Sequence, residues 1–152
     1  MRREPTPARR SKTELLLSGS SRFPAVRPRV LRWWLAELLD ELAPSADSFA
    51  VRFVGDRTMR TLNRDFRGQE KTTDVLSFPG GMLPEGHHLG DVVISVPQAK
   101  RQAEAKGHPV DQELRILLLH GVLHCLGHDH ERDRGEMDRL ESRLQGRWIG
   151  TA

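Results

Sequence analysis

The sequence predicts an α+β fold, in which helices pack against a single mixed four-stranded sheet. Two observations lead to this prediction. Segments with the period of strands and segments with the period of helices follow one another in the order β-α-β-α-β-β-α-α-α. The chain of 152 residues has no internal repeat and no second linker. A chain of this length buries roughly 68–70% of its unfolded surface in one core.

The first three elements have clear periodicities. The leucines of Thr13–Ser18 indicate an edge strand. A helix is predicted from Pro28 to about Leu42, because apolar residues recur there at three- and four-residue intervals. Ser48–Val54 alternates apolar and polar residues, as a half-buried strand does. These patterns consist of Val30, Leu31, Trp34, Leu35, Leu38, Leu39 and Leu42 in the helix and Phe49, Val51 and Phe53 in the strand.

The middle of the chain predicts a short helix and two strands. Asp56 is placed to cap the helix, which ends at Gly68. The apolar face of this helix consists of Met59, Leu62 and Phe66. Asp74–Phe78 and Asp91–Val96 are short apolar runs typical of strands, joined by the Gly- and Pro-rich segment 79–90 as a long loop or hairpin.

Three helices are predicted in the C-terminal part. The first begins at Pro97 and ends at Gly107, and Asp111 then caps a strongly apolar helix that runs to about Leu126. The last spans about Arg132–Trp148 and is amphipathic. Its apolar stripe consists of Met137, Leu140, Leu144 and Trp148.

Charge and composition divide the chain into a leader and one domain. Residues 1–11 are rich in Pro and Arg and have no apolar period, so we expect a disordered basic leader followed by a single domain over 12–152. Although the net charge is only +3, nine basic residues face two acidic ones up to Arg32. Such an arm attracts polyanions, but taken alone it is better explained as a solvated, partly disordered tail.

Cysteine content and hydropathy indicate a cytoplasmic protein. The lone cysteine, Cys125, excludes an internal disulfide and suits a reducing compartment. No stretch approaches the roughly 18 apolar residues of a membrane span. Only Leu15–Leu17 follows the N-terminal arginines, and this run is too short for the core of a signal peptide.

The most informative segment is the histidine cluster near the end of the apolar helix. His120 and His124 are four residues apart, so both rings project from one helix face and can reach one ion. Along a continued helix, His130 would lie about 9 Å further and roughly 240° round the axis. Gly127 resolves this difficulty, because glycine after a helix adopts the left-handed conformation easily and reverses the chain. His130 can then return to the other two.

Three imidazoles with an open position are typical of a catalytic zinc site. Ordinary histidines on a half-buried helix are the plain alternative, but the third histidine and the intervening glycine argue against it. A structural metal is disfavoured because such sites usually have four ligands rich in cysteine. Cys125 points about 100° away from His124 and is assigned to the core. His128 is a spare candidate, placed behind the ligands or in solvent.

The ligand spacing matches the metzincin protease pattern H-E-x-x-H-x-x-G-x-x-H. In that pattern, the glutamate after the first histidine is the general base of peptide hydrolysis. Gly121 occupies this position here, so the ligands remain while the base is missing. Met137 fits the apolar stripe of the last helix better than it fits a Met-turn.

Two further blocks accompany the histidines. The first comprises Leu62-Asn63-Arg64-Asp65-Phe66-Arg67-Gly68 and Thr73-Asp74-Val75-Leu76-Ser77-Phe78-Pro79; the second is Gly90-Asp91-Val92-Val93-Ile94-Ser95. With the histidine segment, they resemble the YbeY family of bacterial endoribonucleases involved in ribosomal RNA maturation. The similarity covers about residues 13–148. Thr72 departs from the family pattern, which often has proline there, and the leader and the loop 79–89 are particular to this chain.

The resemblance implies a function and a set of site residues. It implies a metal-dependent, single-strand-specific endoribonuclease that acts in 16S ribosomal RNA processing, ribosome biogenesis and quality control, with ribosomal RNA and the small subunit as partners. It also implies His120, His124 and His130 as metal ligands and Arg67 as the functional arginine. Zinc is the expected ion for three histidines, although other divalent transition metals suit such a site.

Residue chemistry supports the role of Arg67. A guanidinium holds phosphate through a fixed two-pronged fork and can stabilise the extra negative charge of a phosphoryl transition state. Basic residues such as Arg60, Arg64 and Lys71 could line an RNA path. Asp74 and Asp91 begin strands; a structural role is favoured for both, with orientation of a ligand histidine as the alternative.

Two other functions remain open at this stage. A zinc metalloprotease is favoured by the ligand spacing and disfavoured by Gly121. A ribosome assembly factor with a structural metal is the other alternative. The oligomeric state is not determined by the sequence.

Overall fold

The computed structural model describes residues 13–129 and 131–150. The chain forms a four-stranded sheet in the order β1-β2-β4-β3, together with five α-helices. The strands are β1 (Glu14–Ser18), β2 (Ser48–Val54), β3 (Val75–Leu83) and β4 (Gly86–Ser95). The helices are α1 (Pro28–Leu42), α2 (Asp56–Arg67), α3 (Val96–Lys106), α4 (Val110–Cys125) and α5 (Glu136–Trp148), with one 3-10 turn at Ser20–Arg22.

The sheet is mixed, as the sequence predicts. β1 pairs with β2 and β2 with β4 in parallel, whereas β3 runs antiparallel to β4. β1 and β3 therefore form the two edges, and β1 is the edge strand that the leucine run indicates. The predicted α+β class with a single mixed sheet is confirmed.

Most of the core lies on one face of the sheet. The register aligns Leu17 with Val51 and Val51 with Val92, so alternate residues of three strands point to the same side. On this side, the strands pack with α1 and α4 into one apolar cluster. The fully buried helix residues of this cluster include Leu31, Leu35, Leu38, Leu114, Leu118 and Leu119.

The opposite face has a smaller cluster under α2. Met59 is fully buried there among Val54, Leu76 and Val93. Because α2 leads directly from β2 towards β3, its C-terminal end lies at the β3 side of the sheet, where Phe66 contacts Phe78 of β3. This placement brings Arg67 to the region where α4 ends.

The segment 79–90 is a hairpin with almost no loop, so the predicted strand bounds are wrong. β3 continues beyond Phe78 to Leu83, and β4 begins at Gly86, leaving a two-residue turn. Cross-strand pairing outweighs the local preferences of Gly and Pro here. Pro79 pairs with Gly90 in the edge strand β3, where a missing N–H is tolerated.

The predicted helix starts need small corrections. Asp56 and Asp111 lie in the first turns of their helices, and the capping positions are Gly55 and Pro109. The last helix begins at Glu136 instead of Arg132. Asp133 stops the helix from starting earlier, because its carboxylate accepts hydrogen bonds from the backbone N–H groups of Gly135 and Met137, at 2.9 Å each.

Two further points concern the basic leader and membrane-spanning helices. The basic leader 1–11 lies outside the described residues and stays a prediction, as does the single domain over 12–152. None of the helices in the described part of the chain combines the length and the apolar character that crossing a bilayer requires.

Candidate active site

The C-terminal half of α4 carries two histidines whose rings converge. Nε2 of His124 lies 3.1 Å from Nε2 of His120, and the ring centroids are 4.6 Å apart. The four-residue spacing therefore places both imidazoles on one helix face, and their nitrogens meet at one point. His120 is half-buried, with 26% of its side chain exposed, and both histidines line a cleft.

Gly127 ends α4 by the mechanism that the sequence predicts. It has φ +102°, in the left-handed region that only glycine adopts without strain. Its N–H bonds to the carbonyl of His124 at 2.9 Å, and the N–H of His128 bonds to the carbonyl of Leu123 at 3.1 Å. This pair of bonds is a Schellman motif, which satisfies the last carbonyls of the helix while the chain turns back.

Glu141 of α5 fixes the ring of His120. Its carboxylate oxygens lie 2.9 and 3.2 Å from Nδ1 of His120. An ionised carboxylate only accepts hydrogen bonds, so Nδ1 carries the proton and the lone pair is at Nε2. The hydrogen bond from His120 to Glu141 raises the pKa of the imidazole above its ordinary value, and burial opposes this shift.

Sequence analysis did not identify Glu141. The available signal was its position on the apolar stripe of the last helix, four residues after Met137 and three before Leu144. A carboxylate on the buried stripe of a helix needs a partner, because burying an unpaired charge is costly. The identity of that partner depended on the packing of α5 against α4.

The histidine pair fits a transition metal of the zinc type. Two Zn–N bonds of about 2.0–2.1 Å at a tetrahedral angle put the nitrogens roughly 3.3–3.4 Å apart. The observed separation is 3.1 Å, and the Nε2 lone pair of His120 points into it. A hydrogen bond between the two rings has a similar length, so the distance by itself fits both.

The third predicted ligand, His130, lies outside the described residues. Within residues 13–129 and 131–150, no three His, Cys, Asp or Glu side chains are arranged to hold an ion. The described pair therefore supplies two ligands at most, and a complete site requires His130 or other donors. The three-histidine ligand set stays a prediction.

The histidines line a cleft of about 640 Å³ together with the end of α2 and the first part of β3. Arg67, Asp74 and His128 line the same cleft. Arg67 is the last residue of α2 and is exposed to solvent. Within the described part of the chain, no acidic group pairs with its guanidinium, which is therefore available to a ligand.

The loop between α2 and β3 is held in place by Asn63. This residue is buried, and its side-chain amide donates to the carbonyl of Lys71 at 2.9 Å. The backbone N–H of Gln69 bonds to the carbonyl of Asn63 at 3.3 Å. Asn63 thus fixes the segment that connects Arg67 to Asp74, a structural role that the sequence motif did not reveal.

The three candidate supporting residues occupy different places. Asp74 lies near His120, whose pKa its charge also raises, and its Oδ2 accepts a hydrogen bond from Gln102 at 3.3 Å. His128 is half-buried in the cleft wall. Asp91 is not brought to the cleft. It pairs with Ala50 on the sheet face opposite α4, and its carboxylate lies 3.3 Å from Nε2 of His88.

The charge of the described cleft lining is unfavourable for an anion. Arg67 supplies one positive charge, whereas Asp74, Asp129 and Glu131 supply three negative charges. A phosphate would be repelled by this set. A divalent cation at the histidine pair would offset the excess negative charge.

Packing explains the glycine next to His120. A Cβ on Gly121 would lie 2.7 and 2.9 Å from the two methyl groups of Val92 and 3.3 Å from Oγ of Ser77. Position 121 therefore faces the sheet at closest approach, away from the cleft. A glutamate has no room there, and a general base cannot be supplied from this position.

Cys125 belongs to the packed interior, as the sequence indicates. Burial raises the pKa of its thiol to about 12. Its Sγ lies where a side chain on Gly90 would begin, 2.5 Å from that ideal Cβ position. The sulfur packs against Gly90, and Cys125 is not among the described residues that line the cleft of the two histidines.

Comparisons with known proteins identify the family of this chain. Residues 25–148 match the model of the family described as endoribonuclease YbeY. An endoribonuclease YbeY of Solibacter usitatus is 49% identical over 121 residues, 80% of this chain and 78% of the relative. One of Myxococcus xanthus is 47% identical over 124 residues, 78% of this chain and 42% of that longer relative.

A solved structure supports the fold independently. The solution structure of a protein from Thermotoga maritima matches with a TM-score of 0.57 and 23% identity, covering 90% of this chain and 91% of that one. At this level of identity, the match shows that the two chains share a fold.

Proposed function

Because the chain belongs to the endoribonuclease YbeY family, we propose that it is a metal-dependent endoribonuclease that cuts single-stranded RNA in ribosomal RNA maturation. One observation carries the proposal. The converging histidines of α4 and the exposed guanidinium of Arg67 line one cleft of about 640 Å³. A phosphodiester in this cleft would contact both.

The metal would be held by His120, His124 and His130. Zinc suits imidazole ligands, and nickel, cobalt or manganese are alternatives. When bound, such an ion supplies Lewis acidity towards a phosphoryl oxygen and makes water a stronger nucleophile at neutral pH. Glu141 keeps the proton of His120 on Nδ1, so that Nε2 stays a ligand.

Arg67 would bind the scissile phosphate. Its guanidinium offers parallel N–H donors that match two phosphate oxygens, and it stays charged at every physiological pH. During hydrolysis, negative charge accumulates on those oxygens, and a fixed cation beside them stabilises the transition state more than the ground state.

The packing of Gly121 disfavours the protease alternative. A peptidase of the metzincin pattern needs a glutamate at this position, and the contact with Val92 leaves no space for one. An assembly factor with a purely structural metal is disfavoured by the open cleft, since structural zinc sites are closed by four protein ligands.

The finer assignments follow from the same proposal. The substrate would be 16S ribosomal RNA or its precursor in the small subunit, and the protein would act in the cytoplasm. The basic residues Arg60 and Arg64 are exposed on α2, the helix that ends at the cleft, and would attract RNA phosphates.

The test is cleavage of a labelled single-stranded RNA by zinc-loaded protein, by chelator-treated protein and by His124→Ala. We expect cuts only with the loaded wild type, and restoration when zinc is returned to the chelated sample. A duplex RNA and casein serve as control substrates. Cleavage by metal-stripped protein or by His124→Ala would refute metal dependence, and cleavage of casein without cleavage of RNA would favour the protease.

A further inference from the structure

Phe66 is exposed although it lies on the apolar face of its helix. It follows Met59 by seven residues, which corresponds to two turns and the same helix face. Met59 is fully buried, whereas 65% of Phe66 is exposed to solvent. The sheet does not cover the last turn of α2, so the Phe66 side chain is left in solvent although it shares a helix face with Met59.

The exposed ring has a fixed orientation. Phe78 of the edge strand β3 contacts Phe66 edge-to-face, with the ring centroids 5.2 Å apart and an angle of 70° between the planes. This contact supports the Phe66 side chain from one direction. The ring is thus held beside the cleft while most of its surface is available to another molecule.

The place of the ring indicates what would cover it. Phe66 and Phe78 both line the cleft that contains His120, His124 and Arg67. Phe66 directly precedes Arg67, and the exposed arginines Arg60 and Arg64 lie on the same helix. An aromatic face next to the guanidinium of Arg67 suits a nucleotide, which carries a flat base and an anionic phosphate within one unit.

The other exposed apolar side chains lack this setting. Within the described residues, the large apolar side chains that remain exposed besides Phe66 are Leu16, Met82, Leu83 and Leu126. All four are aliphatic, and the cleft is not lined by any of them. Among these exposed large apolar side chains, the aromatic one is therefore the one that lies at the cleft, which indicates a specific role there.

We propose that Phe66 is a stacking platform for an unpaired RNA base next to the phosphate that Arg67 binds. The proposal rests on the endoribonuclease function and adds a source of single-strand preference. In a duplex, each base is already stacked and paired, so its face is not available to the ring. In a single strand, one base can turn outward and stack on Phe66 while its phosphate enters the cleft.

The test combines a protein variant with a modified substrate. Phe66→Leu keeps apolar volume but removes the aromatic face, and Phe66→Trp enlarges that face. The substrate is a short single-stranded RNA, either intact or with an abasic nucleotide on one side of the mapped cleavage site. Met82→Leu, at a side chain that is 77% exposed and away from the cleft, is the matched control.

We expect Phe66→Leu to raise KM for intact RNA about tenfold, with a smaller effect on kcat. For the wild type, the abasic RNA should have a KM higher than that of intact RNA by a similar factor. For Phe66→Leu, the abasic and the intact RNA should have the same KM. Phe66→Trp should restore the KM of intact RNA, and Met82→Leu should leave it unchanged. The proposal would be overturned if Phe66→Leu had the KM of the wild type for intact RNA. It would also be overturned if the substitution raised the KM equally for intact and abasic RNA.

A second measurement separates this proposal from the endoribonuclease function. Stacking of a base on Phe66→Trp should quench tryptophan fluorescence during titration with the intact oligonucleotide, beyond the quenching seen in wild type. The abasic oligonucleotide should lack this extra quenching. If no RNA were cleaved but the quenching were present, the endoribonuclease function would fail and the stacking site would stand. Absent quenching would refute the site.

Discussion

The carboxylate of Glu141 on α5 lies 2.9 Å from Nδ1 of His120 on α4. This contact joins two helices that are separated in the chain by the turn containing Gly127. It determines which nitrogen of His120 carries the proton, and therefore which nitrogen can bind a metal. The last helix is thus part of the site, although none of its residues faces the cleft as a predicted ligand.

Glu141→Gln should weaken zinc binding about 10- to 100-fold, because the amide supports the imidazole less strongly than the carboxylate does. The affinity is measured by competition with a fluorescent zinc chelator. Glu136→Gln removes an equal charge from an exposed position of the same helix and should retain wild-type affinity. Equal affinities in both variants would exclude a role of Glu141 in metal binding.

Arg67→Ala should lower kcat for RNA cleavage roughly 10²- to 10³-fold, since a charge-stabilising donor is removed. Arg67→Lys should recover only part of the loss, because an ammonium cannot form the two-pronged contact. The exposed side chain adds little to stability, so the unfolding free energy should change by less than about 0.5 kcal/mol. Arg29→Ala, an exposed arginine of α1, is the control for lost charge.

Gly121→Ala should destabilise the protein by about 1–3 kcal/mol, because its methyl group would overlap the side chain of Val92. Gly146→Ala is the matched control in α5, where no atom beyond the adjoining residues and the backbone of the same helix lies within 4 Å of the added carbon. Without a clash, this substitution should stabilise the helix by about 0.5–1 kcal/mol. Urea unfolding of both variants measures the difference, and equal effects would contradict the close packing of α4 on β4.

Glu113 should make the free energy of unfolding depend on pH in the acidic range. Its fully buried carboxylate lies 2.6 Å from Nε2 of His108, 2.8 Å from Nε2 of Gln102 and 3.2 Å from Nζ of Lys106. Burial alone pushes the pKa of Glu113 upward, but the three hydrogen bonds together lower it below its ordinary value of 4.5. Nε2 of Gln102 also donates to Oδ2 of Asp74, at 3.3 Å.

The sign of the effect follows from the lowered pKa. The ionised form stabilises the folded state fully above pH 4.5, and this contribution is lost as the pH falls through the lower pKa of the folded state. Glu113→Gln should cost about 1–3 kcal/mol at pH 7. The difference in unfolding free energy between Glu113→Gln and wild type, measured by urea titration, should narrow as the pH falls below 4.5. If this difference in unfolding free energy did not change with pH, the charge of Glu113 would not contribute to stability.

Local rules account for much of what the sequence determined. The periodicity of α1 and the alternation of β2 depend on near neighbours only, and their predicted bounds agree with the structure. The convergence of His120 and His124 follows from the geometry of one helix, and the end of that helix follows from the conformational freedom of Gly127. The family blocks also marked Arg67 as a residue of the cleft.

Only the tertiary structure decided which distant residues meet. Glu141 reaches His120 because α5 packs on α4, and Asp91 is outside the cleft because it lies on β4, one strand inward from the edge strand β3 that lines the cleft. Phe66 follows the helical period of buried residues, yet it is exposed because the sheet does not cover the end of α2. Local pattern determines the face on which a side chain lies, whereas only the packing of elements determines what that face meets.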